Sequence, residues 1–200
     1  MKYVSIDIET TGLDPDKHQM IEFGAVLEDT ENQLPIDELP KLRVLIVHED
    51  YTSGPYCIKL HSKLFEELGN YTKVALPRRI DCSTWVTRSN EHGLAYIFNK
   101  WLDENGMKVK FGDKARKTIV AGKNFNGFDA LFLKSYMNYR VQFHHRVIDP
   151  AALFTRLSDA EPPNLNECAK RAGVEFKGTG YHSAVSDATM VVELLRKGWK

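Results

Sequence analysis

The sequence predicts a mixed β-sheet flanked by helices, an α/β or α+β layer fold. Three strand-like segments come first, and further strands then alternate with helices. The composition fits a globular protein, because 42% of the 200 residues are hydrophobic and 27% are charged. No apolar run approaches the roughly 18 residues that a membrane helix needs. We therefore expect one domain over residues 1–200 and no contact with a membrane.

The first three strands are predicted from apolar periodicity and from the turn residues between them. Apolar and polar side chains alternate over residues 2–8, as they do in a half-buried strand. Residues 20–28 and 42–48 are read as the second and third strands. The connections between them are too short for a helical crossover, so the three strands are expected to form an antiparallel meander.

The remaining elements are read from helical spacing and from the residues that end helices. Leucines at positions 60, 64 and 68 predict a helix over 58–68 that is closed by Gly69, whereas residues 70–90 give no assignment. An amphipathic helix is expected over 90–105. The rest of the chain predicts strands over 117–122 and 146–148 and helices over 127–137, 164–172 (ended by Gly173) and 183–197.

Two carboxylates lie side by side at the end of the first strand. Asp7 and Glu9 are two residues apart, so their side chains point to the same face of the sheet. They repel each other unless a cation lies between them, and their oxygens are ligands that suit Mg²⁺ or Mn²⁺. A solvated strand end is the alternative interpretation.

Two later segments carry further acids next to predicted helices. Asp129 follows the strand predicted over 117–122 and is either an acid favoured by the helix dipole or a carboxylate brought beside Asp7. Asp187 lies in the first turn of the last helix, where an acid favoured by the dipole and a further metal ligand are both possible. His182 follows two glycines and is either a surface or cap residue or a mobile general base.

These three segments, in this order, resemble the motifs of the DEDDh family of 3′→5′ exonucleases. The motifs are Asp-x-Glu after the first strand, Asn-x-x-x-Phe-Asp after a middle strand and His-x-x-x-x-Asp at the last helix. The resemblance covers roughly residues 3–28 and 118–196. Residues 30–117 contain variable regions that match the family poorly.

The resemblance implies a ribonuclease-H-like fold, with a mixed five-stranded sheet flanked by helices. It implies that Asp7, Glu9, Asp129 and Asp187 bind two divalent cations, Mg²⁺ or Mn²⁺, about 4 Å apart, and that His182 takes a proton from the attacking water. The implied activity is hydrolysis at the 3′ end of single-stranded DNA or RNA, which releases nucleoside 5′-monophosphates. The alternatives are an endonuclease on the same fold and a catalytically inactive nucleic-acid-binding module.

Four further positions are predicted to contact the substrate. By the resemblance, the backbone around Thr10 holds the terminal 3′ hydroxyl, and Leu13 packs against the terminal base or is merely an apolar turn residue. Asn124 contacts a sugar or phosphate or holds the local turn. Phe125 or Phe128 could stack on a base, since stacking suits single strands of any sequence, although Phe128 is better explained as core.

Basic residues are clustered on both sides of the Asn124 segment, although the formal net charge of the chain is zero. They form either solvated faces or phosphate contacts for an incoming strand. Asp149 is expected to have a supporting or structural role. The basic residues are Lys108, Lys110, Lys114, Arg116 and Lys117 before the segment and Arg140, His144, His145 and Arg146 after it.

The cysteines and the N-terminus predict a cytoplasmic protein. Cys57, Cys82 and Cys168 are scattered and lack the spacing of metal ligands, so reduced thiols are expected. The first residues do not resemble a secretory signal. The balanced charge fits an enzyme that holds one strand end briefly better than one that binds a long duplex.

Overall fold

Six strands form one mixed sheet in the computed structural model, which describes residues 1–73, 77–89, 93–107, 117–137, 140–175 and 183–199. The strands are β1 (Lys2–Thr10), β2 (Met20–Asp29), β3 (Lys41–Val47), β4 (Arg78–Arg79), β5 (Thr84–Arg88) and β6 (Val120–Ala121). Their order across the sheet is β4-β5-β3-β2-β1-β6. This mixed sheet confirms the predicted α/β class.

Strand pairing brings the acid-bearing ends of β1 and β6 to the same edge of the sheet. The predicted meander is confirmed, because β2 pairs antiparallel with both β1 and β3. β6 pairs parallel with β1, with Val120 opposite Val4 and Ala121 opposite Ser5. The chain therefore leaves β6 at the end of β1 where Asp7 and Glu9 lie.

Seven helices flank the sheet within the described residues. They are α1 (Pro55–Leu60), α2 (Ser62–Gly69), α3 (Gly93–Glu104), α4 (Asp129–Met137), α5 (Ala151–Phe154), α6 (Leu165–Ala172) and α7 (Ala184–Gly198). α6 has the predicted bounds: Asn164 Oδ1 accepts a hydrogen bond from the Glu167 N–H at 2.9 Å, and Gly173 ends the helix at φ 63°. None of the helices in the described part of the chain is long and apolar enough to cross a bilayer.

Alternation along β1 separates two apolar layers. Val4, Ile6 and Ile8 lie in a core cluster that also contains residues of α3 and α4. Tyr3 lies on the opposite face, in a cluster with Val191 and other residues of α7. α2 covers β3 and β5 with Leu64 and Leu68. Because side chains alternate along a strand, Asp7 and Glu9 lie on the same face as Tyr3, where α7 packs.

The sheet has one strand more than the five that the resemblance implied. The segment over 70–90, which the sequence left unassigned, contains β4 and β5, and β5 pairs parallel with β3. Asp81 Oδ1 accepts hydrogen bonds from the N–H groups of Ser83 and Thr84, both at 2.8 Å, and so closes the turn between them. A two-residue strand such as β4 has no periodicity of its own, so it was not predicted.

Other predicted bounds are corrected by the structure. The helix expected over 58–68 is two helices, because the chain leaves helical geometry at His61, which has φ −103° and ψ 23°. The strand expected over 146–148 forms only an isolated bridge between Ile148 and Ala121. α5 was not predicted, because it is a four-residue helix. α4 begins at Asp129 after a 3₁₀ turn over Phe125–Gly127, and α3 is described from Gly93.

Candidate active site

Three of the four predicted acids meet between β1 and the start of α7. Carboxylate oxygens of Asp7, Glu9 and Asp187 all lie within 4.8 Å of one another. Asp7 and Glu9 come from one face of β1, whereas Asp187 is in the first turn of α7. The cluster therefore depends on how closely α7 approaches the sheet.

The fourth acid, Asp129, is the first residue of α4 and is 3% exposed. Its carboxylate accepts hydrogen bonds from its own N–H and from the N–H of Ile8, the residue between Asp7 and Glu9. Repulsion from Asp129 contributes to the raised pKa of Asp7, so the two carboxylates interact. The structure thus brings all four predicted acids to one end of β1.

Four deprotonated carboxylates are unfavourable in this site, so it favours bound protons or a bound cation. Burial raises the pKa of Glu9 to about 9, with further increases from Glu22, Asp187 and Asp129. Burial raises the pKa of Asp129 to about 7. Burial, followed by repulsion from Asp129 and Glu9, raises the pKa of Asp7 well above its ordinary value.

These oxygens fit a divalent cation. Within the described residues, the buried Glu9 Oε1 has no hydrogen-bond partner. A buried acceptor of this kind is costly unless a donor or a cation meets it. Hard carboxylate oxygens from several acids are the donor set that Mg²⁺ and Mn²⁺ take in proteins.

Gly24 allows α7 to approach the sheet closely. It lies opposite Asp7 on β2, and a Cβ atom at this position would lie 2.3 Å from the backbone carbon of Ala184, the first residue of α7. The sequence predicts only a strand at Gly24 and Ala25. Only the packing shows that a side chain here would displace the helix that carries Asp187.

A partly buried ion-pair network, which the sequence does not reveal, lies beside the acids. Glu22 pairs with Glu9 across the β1–β2 ladder and is 1% exposed. Arg43 Nε donates to Glu22 Oε1 at 2.7 Å, and its two terminal nitrogens donate to Glu67 of α2 at 2.8 Å each. Ser183 Oγ, just before α7, donates to Glu22 Oε1 at 3.3 Å. Glu22 and Arg43 are far apart in the chain, so no spacing rule links them.

His61 is a second buried residue that the sequence did not single out. Its Nε2 lies 3.7 Å from Glu9 Oε2, and it is located at the break between α1 and α2. In the sequence, His61 is only one polar residue within the helix predicted over 58–68, and nothing there links it to the acids. His182, the predicted general base, lies outside the described residues, so its role stays a prediction.

The fold is shared with known exonucleases. The nuclease domain of 3′hExo, a DEDDh family member bound to rAMP, matches with a TM-score of 0.63 and 16% identity over 96% of this chain and 88% of that domain. Escherichia coli exonuclease I in complex with a dA16 oligonucleotide matches with a TM-score of 0.58 and 17% identity. The chain spans 40% of the length of exonuclease I.

The sequence is also similar to exonucleases. The RNase_T family model, described as Exonuclease, matches residues 4–75. Oligoribonucleases from Actinobacillus pleuropneumoniae (24% identical, over 96% of this chain and 88% of the relative) and Buchnera aphidicola (26% identical, over 94% and 88%) match almost end to end. The chain is thus similar to exonucleases in sequence over residues 4–75 and to a DEDDh family member in fold. The resemblance seen in its motifs is thereby confirmed.

Two of the four predicted substrate contacts lie at the end of β1 and in the β1–β2 connection. Leu13 is 82% exposed at the tip of the loop. The base of the loop is fixed, because Thr11 and Gln19 exchange backbone and side-chain hydrogen bonds. Thr10 is buried, and its Oγ1 donates to the carbonyl of Gly12 at 2.7 Å, so its hydroxyl is already engaged within the protein.

The other two predicted contacts lie in the turn before Asp129. Asn124 is exposed in the left-handed region at φ 56°, and its N–H donates to Asp149 Oδ2 at 2.8 Å. Asp149 Oδ1 accepts from the Ala151 N–H, which supports the structural role expected for Asp149. Phe125 is a correction: it is 2% exposed and packs on Phe143, so it offers no open face to a base.

Two of the predicted basic residues, Lys117 and His144, lie along β6 toward the beginning of β1 and away from the acids. Lys117 precedes β6, whose Val120 is opposite Val4, so it lies near the beginning of β1. His144 follows the same edge, since its N–H donates to the Thr118 carbonyl. Lys108, Lys110, Lys114 and Arg116 lie outside the described residues. Lys117 is therefore poorly placed to bind the phosphate next to a scissile bond.

Proposed function

We propose that this chain is a metal-dependent 3′→5′ exonuclease that degrades short single-stranded oligonucleotides, and short RNA above all, to nucleoside 5′-monophosphates. The observation that carries the proposal is the meeting of Asp7, Glu9 and Asp187 within 4.8 Å, with Asp129 buried beside them. The relatives that match over most of both chains are oligoribonucleases, which favours short RNA.

The four acids would hold two divalent cations, Mg²⁺ or Mn²⁺. Such ions lower the pKa of a water molecule and stabilise the charge that develops on the scissile phosphate. The acids hold and orient the ions, and His182 would take the proton from the attacking water. The roles of these five residues stay proposals.

The surroundings of the acids favour a free strand end over a continuous strand. The exposed Leu13 provides an apolar contact for a terminal base, at the end of a loop with a fixed base. Thr10 offers its backbone to the terminal hydroxyl. The domain range 1–200 and the cytoplasmic location stay predictions from the sequence.

A time course with matched substrates tests the proposal. Single-stranded RNA, single-stranded DNA and a duplex, each labelled at the 5′ end, should show stepwise shortening of single strands, fastest for short RNA. A chelator should abolish the activity, and Mg²⁺ or Mn²⁺ should restore it. Cleavage of a circular single strand would show an endonuclease instead.

Asp187→Asn keeps the size of the side chain and removes its charge. Because the cluster needs this carboxylate, turnover should fall by about two orders of magnitude or more. Glu38→Gln is the control, since Glu38 is exposed on a 3₁₀ turn that ends before β3. Full activity of Asp187→Asn would contradict the assignment, and inactivity of the wild type would favour the binding module.

A further inference from the structure

Glu22 is a further carboxylate beside the four acids, and it is buried and held by hydrogen bonds of its own. Its Oε1 accepts from Arg43 Nε at 2.7 Å and from Ser183 Oγ at 3.3 Å. Arg43 is itself fixed by its two-pronged contact with Glu67. The Oε1 of Glu22 is therefore engaged by Arg43 and Ser183 rather than open to a metal ion.

The contacts of Glu22 lead directly to Asp187. Ser183 precedes α7, and its carbonyl accepts the N–H of Asp187 at 3.0 Å, one helical turn later. Ala184, the next residue, lies against the backbone of Gly24. Glu22 therefore reaches the first turn of α7 at the point that determines where Asp187 lies relative to β1.

Arg43 can reach Glu22 because of the strand register. Arg43 lies opposite Gly24 on the β2–β3 ladder, so no side chain separates it from Glu22, two residues along β2. The same missing side chain leaves room for α7. One glycine thus allows both the helix and the arginine to converge on Glu22.

We propose that Glu22, held by Arg43 and Glu67, is a positioning residue that sets the place of Asp187 and thereby the metal affinity of the site. This inference rests on the proposed function, since it assumes that Asp187 is a metal ligand. Outer partners that orient metal ligands typically change metal affinity or activity by about 10- to 100-fold when they are removed.

The chain contains a matched control for Glu22. Glu28 is also buried on β2, and Arg196 Nε of α7 donates to Glu28 Oε2 at 2.5 Å. Both glutamates thus join β2 to α7 and pair with an arginine, but Glu28 lies opposite Tyr3, at the end of β1 away from the acids. A purely structural role would give Glu22 and Glu28 similar effects.

The test measures Mn²⁺ binding by isothermal titration calorimetry, together with kcat, KM and thermal unfolding. Glu22→Gln should weaken Mn²⁺ binding by about tenfold and lower kcat at limiting Mn²⁺, with KM for the oligonucleotide unchanged. Excess Mn²⁺ should restore part of kcat. Glu28→Gln should lower the unfolding temperature but leave Mn²⁺ affinity unchanged.

Ser183→Ala separates position from charge. The variant retains every charged group, so weaker Mn²⁺ binding would report a displaced Asp187. We expect Mn²⁺ affinity to fall, as in Glu22→Gln, but by a smaller factor. This variant also serves if Glu22→Gln does not fold. Wild-type affinity in Ser183→Ala, or an equal loss in Glu22→Gln and Glu28→Gln, would overturn the inference. Failure of the wild type to bind Mn²⁺ or cleave RNA would instead overturn the proposed function.

Discussion

At the scale of single residues, the candidate site is defined by buried carboxylates whose pKa values are raised. Burial is the largest cause for Asp7, Glu9 and Asp129, and mutual repulsion adds to it for Asp7 and Glu9. A carboxyl with a raised pKa in the folded protein retains a proton that the unfolded chain releases. The pH dependence of stability therefore reports on these side chains directly.

We expect the metal-free protein to lose stability as the pH rises. For Glu9 the window runs from the ordinary 4.5 to about 9, and across it the folded state binds more protons than the unfolded state. The free energy of unfolding therefore falls with increasing pH. The unfolding temperature in chelator should drop between about pH 6 and about pH 9.

Glu9→Gln is the variant that checks this assignment, because an amide does not titrate. The pH slope of its unfolding temperature should be shallower than that of the wild type. Added Mn²⁺ should raise the wild-type unfolding temperature more at high pH than at low pH, since metal binding requires the deprotonated acids. Identical slopes in both proteins would contradict the raised pKa of Glu9.

Leu13→Ala tests the exposed tip of the β1–β2 loop. Because Leu13 is 82% exposed, its truncation should change the unfolding temperature little. If the side chain covers the terminal base, KM for a short oligonucleotide should rise about tenfold, as expected for the loss of one apolar contact. An unchanged KM would show that Leu13 is an apolar turn residue that does not contact the substrate.

At the scale of elements, α7 determines whether the acids meet. The helix contacts Glu22 through Ser183 at its beginning and Glu28 through Arg196 near its end, so β2 holds it at two points. Its apolar face packs on the sheet through Val191, Val192 and Leu195. The position of Asp187 therefore depends on strand β2, which carries none of the four acids.

Gly24→Val should displace the beginning of α7. A side chain at this position meets the backbone of Ala184, which cannot move unless the helix moves with it. We expect the free energy of unfolding to fall by about 1–3 kcal/mol. Activity should also fall in the fraction of the protein that remains folded, because Asp187 is displaced. Gly69→Ala is the control, because no atom lies within 4 Å of the added Cβ. Its stability should be unchanged or higher by about 0.5 kcal/mol, with full activity. Wild-type activity in Gly24→Val would refute the close-packing argument.

At the scale of the whole molecule, the four acids and Lys117 lie toward opposite ends of β1. Formal net charge is zero, yet the acids lie at one end of β1, whereas Lys117 lies near the other. Lys117 itself is therefore not placed beside the scissile phosphate of the proposed function. Phosphate neutralisation at the scissile bond is therefore assigned to the bound cations in the proposed function.

KM should accordingly depend weakly on salt. Each phosphate contact made by a lysine or arginine contributes a slope of about 0.7 on a logarithmic plot for single strands. We expect a slope equivalent to about one or two contacts when KM is measured at fixed Mg²⁺. Lys117→Ala should leave both KM and this slope unchanged; a flatter slope in this variant would assign Lys117 to the substrate path.

Local sequence rules predicted those parts of the fold that depend on neighbouring residues. Alternation along β1 placed Asp7 and Glu9 on one face, and the caps of α6 were readable at Asn164 and Gly173. The family resemblance added Asp129 and Asp187 to the same site. By contrast, β4 and β5 were missed, because a short strand is stabilised by its partner rather than by its own pattern.

The sequence by itself determined the α/β class, the antiparallel meander and the placing of Asp7 and Glu9 on one face of β1. Only the tertiary structure decided that Phe125 belongs to the core and that Lys117 lies far from the acids. The tertiary structure alone also shows that Glu22 binds Arg43 and Ser183, and that Arg43 binds Glu67. The physical reason is distance along the chain: periodicity reports contacts within an element, whereas strand register and helix packing decide which distant residues meet.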